Sequence, residues 1–211
     1  MKSKLSFAAA VCTLCLSLPV HAQFSGLTSM LGGGKSNSAP AVDSDSIKKS
    51  VTTALINLAY ANGKYAEALG KENEAAQFKE IGDKLTSGSL GANSDVITQI
   101  KTSSAALVPE IKQQLDNKTK LSEVGKKAAQ EGLVFHVKGT ADGVQSSKML
   151  KGALESKSPM VLAALAGMKD FPGLLAQWTS TTGSVISYMK FNGLDVSQAD
   201  KANRDAMDDK G

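Results

Sequence analysis

The chain is nearly without cysteine, histidine and arginine, and each shortage removes a class of chemistry. Its two cysteines, Cys12 and Cys15, both fall within the first 22 residues. Beyond them no thiol is present to act as nucleophile, redox partner or metal ligand. Histidine is confined to His21, within the same first 22 residues, and His136; the one beyond them is too few for a two- or three-histidine zinc site within one subunit. A serine-histidine-aspartate triad would have to use His136, and no Gly-x-Ser-x-Gly elbow supplies its serine. Arg204 is the only arginine, whereas forked recognition of phosphate, carboxylate or guanine usually employs that side chain. The formal net charge is only +4, so nucleic-acid binding has little electrostatic footing. No metal, cofactor or nucleic-acid partner is expected.

Residues 1–22 read as an export signal. Lys2 and Lys4 precede an apolar stretch from Leu5 to Leu18, Pro19 breaks it, and Val20 and Ala22 stand as the small residues before a cleavage point. This is the pattern of a secretory signal peptide cut between Ala22 and Gln23. The apolar stretch is too short to span a bilayer comfortably. Neither cysteine follows the Leu-small-small pattern of a lipoprotein. Cleavage would remove both cysteines and His21, and the expected location is the periplasm or beyond. No later segment reaches the roughly 18 apolar residues of a spanning helix, so no transmembrane span is expected in the processed chain. Without disulfides, a hydrophobic core must stabilise it.

Residues 23–43 have linker composition, with Gly32-Gly33-Gly34, four serines and Pro40, and read as a flexible leader. Phe24, Leu27, Met30 and Leu31 recur at helical spacing inside it. From residue 44 the apolar period is helical almost throughout. Ser44 or Ser46 is placed to cap a first helix carrying Ile47, Val51, Leu55, Leu58, Tyr65 and Leu69 on one face, up to a break at Gly70. A second helix spans 71–86. A third spans 94–116, where Pro109 predicts a kink or two abutting helices. Thr119 is placed to cap a fourth, reaching about 138. Further helices are expected over 141–155, 158–169 with Pro159 in its first turn, and 170–190 behind Asp170 and Pro172. Residues 194–211 read as a charged C-terminal tail holding one frayed helix.

The one strand-like run, Leu133 to Val137 between Gly132 and Gly139, would have no partner strand. It reads instead as a helix that is apolar all round and central to a bundle. The expected fold is all-α: an irregular bundle of about six or seven helices over 44–193 behind a flexible leader.

Two constellations stand out. Gly125, Ala129, Gly132, His136, Gly139 and Gly143 recur at steps of four and three, so on a continuous helix they form a groove of small residues. Such a groove lets another helix approach closely. It is either a tight internal contact or a binding groove for a partner helix or an acyl chain. His136 lies within it, and among apolar neighbours its imidazole reads as a hydrogen-bonded core group. The second constellation is the least charged block, 158–191, where Phe171, Leu175 and Trp178 share a face. It is either the core hairpin of the bundle or a hairpin that opens onto lipid.

Other patterns fail on their own requirements. Gly34-Lys35-Ser36 ends like a phosphate loop, but Ser29 stands where its first glycine belongs. Asp43 and Asp45 begin like a calcium loop, but Lys48 and Ala54 replace its glycine and glutamate. Ser187 and Lys190 have the spacing of a serine-lysine acyl-enzyme site without its companion motifs. Asn57 to Leu69, through Tyr60, Gly63, Tyr65 and Ala68, resembles part of a tetratricopeptide repeat, one residue short after Tyr60 and with no second copy. The resemblance implies helical protein binding. The expected role is thus a non-enzymatic protein-interaction module of the cell envelope with a protein partner. The alternative is lipid or apolar-ligand binding between helices at a membrane surface, and a serine-lysine or carboxylate hydrolase ranks last.

Overall fold

The computed structural model describes residues 43–156 and 158–208. The expected signal peptide and almost all of the expected leader lie outside them. The described residues form seven α-helices and one 3-10 turn, with no strand among them, in an all-α irregular bundle.

Helix α1 runs over Ser44–Ala68. Its cap is Asp43, whose carboxylate accepts from the Asp45 amide and the Ser46 hydroxyl, so the capping oxygen sits one residue before Ser44, the first serine expected to supply it. Ile47, Val51, Leu55, Leu58 and Tyr65 are buried along one face, as their spacing predicts. The chain then reverses at Gly70, whose positive φ of 71° suits a residue without a β-carbon. Helix α2, Glu72–Thr86, packs back on α1. Two glycines make this contact close and reciprocal. A β-carbon on Gly63 of α1 would stand 3.3 Å from Phe78 Cβ, and one on Gly82 of α2 would stand 2.7 Å from the Tyr60 ring. The stretch from Asn57 to Ala68 thus lies inside one helix.

Helix α3, Ser94–Asp116, is capped by Asn93, which accepts from the Val96 amide at 3.0 Å. It is continuous through Pro109, so the expectation of two abutting helices is corrected. Pro109 and Ala105 are both exposed, and the Ala105 carbonyl that loses its donor can be hydrated there.

The largest difference from the sequence reading is α4, a single helix over Glu123–Glu155. Where two helices parted near residue 139 were expected, 33 residues continue without a break, a rod of roughly 50 Å at 1.5 Å per residue. Its cap is Ser122, accepting from the Gly125 amide at 3.0 Å, rather than Thr119. The Thr119 carbonyl instead accepts from the Tyr188 hydroxyl at 3.1 Å. Glycine weakens an isolated helix by up to about 1 kcal/mol relative to alanine. In α4 the packing of neighbouring helices against the glycines outweighs that loss. Residues 133–137 are helical as expected, but the helix is not apolar-buried all round. Leu133 and His136 are buried while Val134 is 52% exposed.

The short helix α5, Pro159–Leu165, passes through a 3-10 turn at Ala166–Met168 into α6, Phe171–Phe191. Helix α7 spans Ser197–Asp208, the one helix expected in the charged C-terminal segment, and it is docked where fraying was expected. Val196, Ala199, Asn203 and Ala206 are buried at steps of three and four. Asn203 accepts from the Thr182 hydroxyl and donates to the Thr179 carbonyl, each at 3.0 Å. The ion pairs Arg204–Asp200 and Lys201–Asp205 are exposed on the helix. The helical unit therefore extends past residue 193 to the end of α7. The most extensive pairing is α1 against α4; α3 packs on α6, and α4 also meets α5, α6 and α7.

Candidate functional site

The groove of small residues exists, and its occupant is α1. A β-carbon on Gly125 would stand 2.8 Å from the Ala68 carbonyl oxygen, one on Gly132 2.8 Å from the Tyr65 ring, and one on Gly139 2.9 Å from Leu58 Cδ2. The partners descend along α1 as the glycines ascend α4, so the two helices are antiparallel. Ala129 between them is fully buried. Gly143 faces α6, where Leu175 Cδ1 would lie 2.8 Å from its β-carbon. At these positions the groove serves an internal contact and has no room for a second helix or an acyl chain. The α1–α4 seam continues in polar contacts, Ser50 to Ser146 at 2.7 Å and the Asn57 amide donating to the Asp142 carboxylate at 2.9 Å.

His136 is the centre of the bundle. It is fully buried, with Nδ1 3.1 Å from the Tyr65 hydroxyl on α1 and its ring 5.1 Å from that of Trp178 on α6. Trp178 Nε1 donates to the Thr140 hydroxyl at 3.0 Å, one turn along α4 from His136. His136 Nε2 has no hydrogen-bond partner among the described residues. Burial holds the imidazole well below its ordinary value, at about 4, and pushes the Tyr65 phenol up. The cluster ties α1, α4 and α6 together and is sealed from solvent, so it has no access to a substrate.

Phe171, Leu175 and Trp178 are also core residues, none more than 7% exposed. They bring α6 against the bundle, and the hairpin is closed on its own core. Residues Pro159–Phe191 are long and apolar enough to cross a membrane by composition, with a mean hydropathy of 1.2 in an 18-residue window. The 3-10 turn and the Lys169-Asp170 pair interrupt that stretch. Ser187, of the serine-lysine pattern, donates to the Gly183 carbonyl at 2.9 Å on the exposed side of α6. No group of three histidine, cysteine, aspartate or glutamate side chains that could hold a metal is present among the described residues.

One surface feature escaped the sequence reading. Between α1, α2 and α4 lies an open groove of about 530 Å³. Its apolar lining includes Tyr60, Gly63, Ala75, Ala76 and Phe135. The Tyr60 and Phe135 rings pair at 5.3 Å, tilted by 42°, and both are half-buried. The Tyr60 hydroxyl donates to the Asp83 carboxylate at 2.8 Å, which fixes the ring. Charged residues line the same groove: Lys64, Lys79, Glu67, Glu72 and Asp83. Lys64 bridges Glu67 and Glu131, and Lys79 pairs with Asp83. Acids outnumber lysines at this edge, and the Lys79 ammonium and Tyr60 hydroxyl hold the Asp83 carboxyl below its ordinary range. The available signal was the pairing of α1 with α4, which places Phe135 beside Tyr60. No period within one helix reveals it.

Comparison with models of protein families, with curated proteins and with solved structures gives no match to this chain.

Proposed function

We propose that this chain is an exported, non-enzymatic helical module that holds a protein partner in the cell envelope, through the groove between α1, α2 and α4. The observation that carries the reading is the half-buried Tyr60–Phe135 pair set in an apolar lining with a charged edge. Aromatic anchors surrounded by polar groups are the usual energetic centre of a protein interface. The excess of acids at the edge selects the occupant: a segment with an apolar middle and basic flanks. Export rests on the sequence of residues 1–22. The non-enzymatic reading rests on how the buried polar groups are used, since His136, Thr140, Asn203 and Ser146 join helices to one another.

A photo-crosslinker in place of Lys79, beside the groove, tests the interaction in the cell. The expected result is one discrete adduct that is absent with the crosslinker at exposed Lys112 on α3. Ala76→Asp, an exposed substitution in the lining, should abolish it. Equal labelling at both positions, or an adduct indifferent to Ala76→Asp, would refute the reading. N-terminal sequencing of the protein recovered from cells tests export, with Gln23 expected as the first residue.

A further inference from the structure

We propose that the outward face of α5 rests the protein on an anionic lipid surface. From Ser158 to Met168 no side chain ionises. Helix α5 gives the core little: Leu165 is its only buried residue, followed by Met168 in the 3-10 turn. Val161 packs against the core from a half-buried position, and the apolar side chains on the other side face outward. Met160 is 82% exposed, more than any other large apolar residue described, and Leu162 is 37% exposed. The apolar 18-residue window within Pro159–Phe191 is only 28% buried. A core helix of similar hydropathy would be mostly buried, so this stretch holds apolar surface that the bundle does not use.

The element is anchored on its inner side. Leu165 is fully buried and the Ser94 hydroxyl donates to the Gly167 carbonyl at 3.2 Å. It therefore presents Met160 and Leu162 from a fixed base. Seven residues of helix, roughly 10 Å long, cannot cross a hydrocarbon core of about 30 Å. They can lie in the interface with the apolar side chains among the upper acyl carbons.

Charge selects the occupant. Between residues 148 and 170 the sequence carries Lys148, Lys151, Lys157 and Lys169 against Glu155 and Asp170. Lys151 and Lys169, before and after α5 in the chain, are exposed. Lysine is a compact, mobile point charge without the fork that recognises one phosphate group, so this border suits a carpet of anionic headgroups. A second copy of the same face would bring lysine border against lysine border, which disfavours self-pairing. The surface is separate from the groove on α1, α2 and α4, and either proposal can fail without the other.

The test uses the full protein with vesicles of phosphatidylcholine, with and without 30% phosphatidylglycerol, in a flotation assay. A Met160→Cys variant carries an environment-sensitive fluorophore, and Met207→Cys on α7 serves as its control. The expected result is flotation with the anionic vesicles, at least tenfold weaker with the neutral ones and in Met160→Asp/Leu162→Asp. The label at 160 should shift to the blue on anionic vesicles and the label at 207 should not. Flotation indifferent to the double substitution, or a label at 160 that stays in water, overturns the proposal. So does a Met160-dependent dimer, or a Met160-dependent complex with an acidic protein, in the absence of vesicle binding.

Discussion

Gly139 of α4 lies so close to Leu58 of α1 that a β-carbon placed on it would stand 2.9 Å from Leu58 Cδ2 and 3.1 Å from the Leu58 backbone nitrogen. The side chain has some freedom to turn away; the backbone does not. Gly139→Ala should therefore destabilise the protein by about 1–3 kcal/mol, although alanine is the better helix former by up to about 1 kcal/mol. Gly152, on the same helix, has nothing within 4 Å of a β-carbon. Gly152→Ala should raise stability by up to about 1 kcal/mol. Urea denaturation of the two variants should move in opposite directions. Equal shifts would mean that propensity, and not the α1 contact, sets the requirement at residue 139.

His136 should make stability depend on pH in a window where little else titrates. Its folded-state pKa is lowered from 6.5 to about 4 by burial, so between these values the unfolded chain binds the proton more readily. The stabilisation is fully present above about pH 6.5 and is lost as pH falls through 4. It amounts to about 3 kcal/mol, an upper figure for a shift of that size. Tyr65 is the one titratable group in contact with the ring, and it remains neutral throughout. Asp142 is raised by burial and acts in the opposite sense. The lowered carboxyls, among them Glu110 and Glu131, begin to lose their contribution as pH falls through the ordinary carboxylate value of 4.5 and finish losing it below, so they act in the same sense as His136 at the acid end of the window. Denaturation midpoints taken from pH 7.5 to 4.5 should hold level down to about pH 6.5 and then fall, and His136→Gln should flatten that fall.

Tyr65 and His136 should also behave as a coupled pair. Tyr65→Phe leaves both ring nitrogens of His136 without a partner, and His136→Leu leaves a buried phenol unpaired. Each should lower stability by about 1–3 kcal/mol. The double variant buries neither orphan and should be more stable than at least one of its parents. A double-mutant cycle in urea measures this, and simple additivity would show that the contact carries no energy of its own.

The docking of α7 rests on Asn203. Its side chain is 3% exposed and reaches both Thr182 and Thr179. Asn203→Ala removes both bonds and leaves the Thr179 carbonyl without this donor, at about 1–3 kcal/mol. Hydrogen exchange over 197–208 should rise sharply, while α1 and α4 stay protected. Unchanged exchange in α7 would mean that Ala199 and Ala206 alone hold it.

What could be read along the chain was the property of single helices. The faces of α1, α2 and α3 followed from the spacing of residues such as Ile47, Phe78 and Ile100, all buried. The small-residue stripe on α4 was visible at its four glycines. Its continuity was not, because local propensity argues for a break at Gly139 and only the approach of Leu58 reverses that argument. The α7 stripe was masked by its charges, since Ala199 and Ala206 are small and Asn203 is polar. The groove and the orphan nitrogen of His136 depend on which helices meet, and no single segment records that.

The matched series of glycines on α4 and partner side chains on α1 also sets where this chain tolerates a change of length. One residue inserted in α1 between Leu58 and Tyr65 turns everything after it by about 100°. Tyr65 would then miss Gly132, and Ala68 would miss Gly125, while Leu58 still met Gly139. The same insertion in the connection after α2, around residues 87–92, disturbs no such correspondence. Variation in length, in evolution or by engineering, is therefore admitted at the joints of the bundle and barred from its longest seam.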